Sequence, residues 1–94
     1  MALKLTYGLK NHFYTVCGID LPLKIKKRLE ALGLTPGVSI MILNKKKSAM
    51  IVAVRGTRIA LGKAIAQNIE IKLEKKQNDD RVHRKSEQRK NYSF

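Results

Sequence analysis

The chain has no tryptophan, one cysteine, two prolines and only seven acidic residues in 94. Each shortage excludes something. A lone thiol, Cys17, cannot close an internal disulfide, so a packed core must hold the fold, as suits a reducing compartment. Aromatic residues make up 5%, which leaves little surface on which nucleic-acid bases could stack. No apolar run approaches the ~20 residues that a membrane-spanning helix needs. No signal-peptide pattern opens the chain, so a cytoplasmic protein is expected. There is no nucleophile elbow, P-loop or dinucleotide fingerprint. Asp20, Glu30, Glu70 and Glu74, the acids before residue 75, are dispersed rather than paired for acid–base work. Neither an enzyme nor a bound cofactor is expected, and no small-molecule substrate.

What the chain has in excess is positive charge, +13 overall. Residues 1–74 carry 13 Lys/Arg against 4 Asp/Glu, or +9, and residues 75–94 carry 7 against 3, or +4. Such a balance draws a protein towards anionic partners without choosing among them. The composition changes near Glu74. Beyond it, "EKKQNDDRVHRKSEQRKNYSF" lacks apolar periodicity and reads as a basic, flexible tail, 75–94. Before it lies one small domain, 1–74, long enough for a single thin core.

Within that domain the strand signals recur at short intervals. "HFYTVCGI" (12–19), "VSIMILN" (38–44), "MIVAVR" (50–55) and "RIALG" (58–62) are β-branched or aromatic. "IEIKL" (69–73) alternates cleanly, with Ile69, Ile71 and Leu73 expected inward. One helix is expected over 21–32, with Asp20 as N-cap and Pro22 in the first turn. Leu21, Ile25, Leu29 and Leu32 form its apolar stripe. Gly33 should end it, and Thr35–Pro36–Gly37 should turn the chain into the next strand. Five short strands with one inserted helix predict an all-β, strongly bent, small five-stranded barrel.

The run "LKIKKRLEALGLTPGVSIMIL…MIVAVRGTRIALGKAIAQNIEI" resembles the ferrous iron transport protein A (FeoA) family over about residues 13–73. The resemblance rests on the helical "RLEALGLTPG", the strand pair, "RGTRIALG" and the closing strand, in that order. It implies an SH3-like barrel acting beside the membrane GTPase that imports Fe²⁺, with the cytoplasmic GTPase domain of that transporter as partner. The same module resembles the carboxy-terminal domain of iron-dependent repressors, but no helix-turn-helix domain precedes it here. Two features depart from the family pattern, the short lysine-rich hairpin at 44–50 and the charged tail.

Candidate site residues follow from these readings. For docking, Leu23 and Lys27 lie opposite the apolar stripe, and Leu34 just past the helix is expected to extend the exposed apolar spot. For nucleic acid, the alternative partner, Lys45, Lys46, Lys47, Arg55 and Arg58 are expected to form a basic strip. Weak contact with any polyanion or anionic membrane surface is expected at this charge. For metal, His12, Cys17 and His83 are the available ligands. A spacing of five places His12 and Cys17 on opposite faces of a regular strand unless a bulge intervenes. His12 is therefore expected at the surface, Cys17 as a small core residue, and no metal site.

Overall fold

The structure, a computed structural model, describes residues 2–74 and 91–93. Seven strands form one sheet in the order β1-β6-β2-β3-β4-β5-β7. The five principal strands are β2 (Phe13–Ile19), β3 (Ser39–Lys45), β4 (Ala49–Val54), β5 (Thr57–Gly62) and β6 (Ile69–Leu73), all paired antiparallel. Two short strands lengthen the sheet beyond the expected five. β1 (Leu3–Lys4) pairs antiparallel with β6, and β7 (Asn91–Ser93) runs parallel to β5. The chain is thus a small all-β domain of the SH3-like kind.

Alternation along the strands explains why this sheet curls. Tyr14 and Val16, Ile40 and Ile42, Met50, Val52 and Val54, Ile59 and Leu61, and Ile69 and Ile71 all point into one core. A single sheet can send every inward row to one cluster only by bending around it. Two bulges assist, between Val16 and Gly18 in β2 and between Ile42 and Asn44 in β3. Alternation along β2 corrects the expectation for Cys17. Tyr14 and Val16 set the inward parity, so Cys17 faces out and is exposed. The extra residue then reverses the parity, and Ile19 packs against the core. Leu73, though on the inner face of β6, is not buried. It is 55% exposed, because the core ends at Tyr14, its partner across the ladder, and at Ile71.

The helix α1 spans Leu23–Ala31, somewhat shorter than expected, and joins β2 to β3. Leu29 is buried, while Leu21, Ile25 and Leu32 pack partly buried against the core. Asp20 does not cap it. Pro22, in extended conformation, is the capping residue, and its carbonyl accepts from Ile25 and Lys26. Asp20 instead donates its backbone N–H to the Asn68 carbonyl. A second helix, the four-residue α2 (Lys63–Ala66), joins β5 to β6 and buries Ala66. Sequence periodicity cannot reveal a single turn, so one helix was expected where there are two.

Tyr14 is the one large polar-tipped side chain in the core, and its hydroxyl accepts the Leu9 N–H at 2.7 Å. The chain between β1 and β2 passes close to the core at Gly8. A Cβ there would fall on Ile42 Cδ1. The charged segment 75–90 and the tail reading attached to it lie outside the described residues.

Candidate functional site

The corner after α1 is built from a specific set of backbone bonds. Gly33, at φ +97°, donates to Glu30 O, and Leu34 donates to Leu29 O, both at 2.9 Å. This is a Schellman motif, whose apolar contact joins the residue two past the helix end to the third from last within it. Those residues are Leu34 and Leu29, and both are fully buried. Leu34 is therefore a core residue and no part of an exposed docking spot. The glycine signal in the sequence carries this information, since a Schellman ending predicts burial of the residue after Gly33.

The turn that follows is pinned to the sheet. Val38 donates to Thr35 O across Pro36 and Gly37, with Gly37 at φ +94° as a type II turn requires. Gly37 also donates to Val16 O, and Val16 donates to Val38 O. With its C-terminal end fixed in this way, α1 presents a constant outer face. Leu23, Lys24, Lys27, Arg28, Glu30 and Ala31 are exposed there, Leu23 by 65%. Leu23, Lys27 and Ala31 follow one another at spacing four, so they form one row on the helix.

Arg55 joins this corner from a different element. Arg55 (φ 51°) and Gly56 (φ 82°) are the two left-handed residues of a tight turn between Val54 and Thr57, which pair as β4 meets β5. Two positive φ values define a type I′ turn, the form that matches strand twist. The Arg55 Cδ atom lies 3.5 Å from where a Cβ on Gly33 would stand. An arginine in the left-handed region is costly, and here it lays its stem over the end of α1. Sequence reading assigned Arg55 to a strand and so missed its place beside Gly33.

The basic strip does not form as one surface. Lys45, Lys46 and Lys47 are exposed at the β3–β4 hairpin, where Lys46 donates to Ala49 O. Arg55 lies at the other end of β4, and Arg58 pairs with Ala53 near that same end. Lys46 and Lys47 stand beyond one end of β4 and Arg55 beyond the other, six residues or roughly 20 Å apart at ~3.3 Å per residue, while Lys45, opposite Met50, and Arg58, opposite Ala53, are three residues apart along it. Lys46 and Lys47 are thus a patch distinct from Arg55.

Among the described residues no three His, Cys, Asp or Glu side chains come together as a metal-binding group. His12 is half-buried, with Nδ1 3.1 Å from the Lys10 carbonyl oxygen. Cys17 faces the Thr15 carbonyl at 3.8 Å, and His83 lies outside the described residues. A shallow cleft of about 420 Å³ between β1, the end of β2 and the start of β6 is lined by Lys4, Asp20, Asn68 and Glu70 among others, exposed groups of both signs.

Fold and corner together define a small SH3-like domain with a helix-and-turn insertion and a basic outer face. Residues 9–73 match the FeoA domain, which is more than half of the chain. The chain belongs to the FeoA family. Solved structures agree. An iron uptake regulatory protein, FeoA, is 27% identical, with a TM-score of 0.69 over 77% of this chain and 97% of its own. The FeoA protein from Chlorobium tepidum is 17% identical, with a TM-score of 0.72 over 92% and 88%. A manganese-dependent transcriptional repressor shares the fold over 78% of this chain but only 42% of its own, at 18% identity and a TM-score of 0.71. No curated protein matches the sequence. Among the described residues no helix is long and apolar enough to cross a membrane.

Proposed function

We propose that this protein is a cytoplasmic accessory of ferrous iron uptake that docks on the GTPase domain of the iron-transporting membrane protein. Membership of the FeoA family supplies the setting. One observation carries the choice of surface. The α1 row of Leu23 and Lys27 holds the most exposed leucine of the described residues on a rigidly anchored, basic helix. A large apolar side chain ringed by charge fits the pattern of an interface, in which a buried apolar contact lies inside a polar rim. The nucleic-acid reading has less behind it, since Lys46 and Lys47 stand at the opposite end of β4 from Arg55.

The test is a pull-down of the purified GTPase domain at physiological salt with the wild type and Leu23→Arg. The substitution should weaken the complex at least about tenfold, as expected for a central interface residue. Its thermal unfolding should stay within ~0.5 kcal/mol of wild type, because the side chain lies in solvent. Tight RNA binding with no GTPase complex would overturn the proposal.

A further inference from the structure

β5 has one free edge in the domain that the family shares, and the chain's own C-terminal strand lies on it. Residues 91–93 pair in parallel with Arg58, Ile59 and Ala60. The family match ends at residue 73, so this strand lies outside the matched segment. It covers three of the six residues of β5. The edge is also basic, with exposed Arg58 on the strand and exposed Arg55 and Lys63 just beyond its ends. The covering strand, Asn-Tyr-Ser, brings no negative charge to meet them. Residues 75–90 lie between it and the end of the domain in the chain, so its pairing with β5 is intramolecular and an incoming segment must displace it.

From these facts we propose that the outer edge of β5 is a docking site for an acidic, extended peptide segment, which adds to the sheet as a strand and displaces residues 91–93. An incoming segment can pair along all six residues of β5, where the resident strand pairs along three. Its carboxylates can meet Arg55, Arg58 and Lys63. Main-chain hydrogen bonds would give it affinity and the arginines its preference for acid, as in other strand-addition complexes. The resident strand then acts as an internal competitor that keeps the edge closed to weak binders. This surface is separate from the α1 row, and the inference goes beyond the transport reading.

The test uses the ¹⁵N-labelled full chain and a blocked hexapeptide of alternating Glu and Val as probe, at fixed ionic strength. Tyr92→Pro combined with Ser93→Pro removes an N–H from each alternation of the resident strand. This variant should bind the probe about tenfold more tightly than wild type, the competitor being gone. Amide shifts should fall on residues 57–62. Arg58→Glu in the otherwise unchanged chain should weaken the probe about tenfold, and a Lys–Val probe should not bind either protein. Equal affinity for the double-proline variant and wild type would overturn the proposal. So would shifts away from β5, equal binding of the Lys probe, or a double-proline variant that closes the edge by dimerising in sedimentation.

Discussion

Leu34 stands two residues past the C-cap of α1, with its N–H on the Leu29 carbonyl and its side chain fully buried. Truncation to alanine should cost about 2–5 kcal/mol, the range for a buried leucine whose site cannot collapse. Against a total stability of about 5–15 kcal/mol, that is a large share. Leu34→Arg should do worse, since it buries an unpaired charge, and the variant should be unfolded by circular dichroism at 25 °C. Its contrast with the well-folded Leu23→Arg distinguishes core from surface on the same corner. Gly8 gives a second residue-scale test. A methyl group there meets Ile42 Cδ1, and because Ile42 is itself fully buried, that side chain must shift within a packed core. Gly8→Ala should therefore lower stability by about 1–3 kcal/mol in urea unfolding, the usual cost of overpacking. Tyr14→Phe keeps the volume but leaves the Leu9 N–H without its acceptor. About 1 kcal/mol should be lost.

The two turns beside α1 make opposite demands on their residues. The helix ends on Gly33 at φ +97°, and Gly33→Ala should cost about 1 kcal/mol because a side chain disfavours the left-handed region. The β4–β5 turn places Arg55 in that same region, where asparagine is the preferred residue before glycine. Arg55→Asn should raise stability by about 0.5–1 kcal/mol, read as a shift in the urea midpoint at unchanged m-value. The arginine stands at a position that its backbone disfavours. What it supplies is a cation and a stem over the end of α1.

The whole molecule carries +13, and this sets its behaviour towards polyanions whatever its partner. Binding to heparin is expected, falling steeply with salt as contacts release counterions. Neutralising Lys45, Lys46 and Lys47 to glutamine removes three charges from one hairpin, leaving +10. That variant should elute from a heparin column at lower salt, with a log–log salt slope smaller by up to about three. Its complex with the GTPase domain should be unchanged, because the hairpin lies at the far end of β4 from the α1 corner. Loss of that complex in the triple variant would show that the lysine hairpin, rather than the helix, makes the contact.

Much of this protein is local, and what is local can be read in the sequence. Ile69 and Ile71 alternate with Glu70 and Lys72 because a strand turns over every second residue. Ile25 and Leu29 share a face of α1 because a helix returns every 3.6 residues, and Leu21 and Leu32 flank it against the same core. Gly33, Pro36 and Gly37 specify the corner through their own φ preferences. The burial of Leu34 lay within reach of the same reasoning, through the Schellman ending. Other features depend on what a segment meets across the fold. The β2 bulge that returns Ile19 to the core exists only against β6. The hairpin geometry divides Lys46 and Lys47 from Arg55, although all three look close in sequence. Arg55 meets Gly33 through the sheet, twenty-two positions away in the chain. The β5 edge acquires a covering strand from beyond the matched segment. Periodicity and φ preference are properties of neighbouring residues, whereas register, exposure and edge occupancy belong to pairs of distant segments, and only folding brings those pairs together.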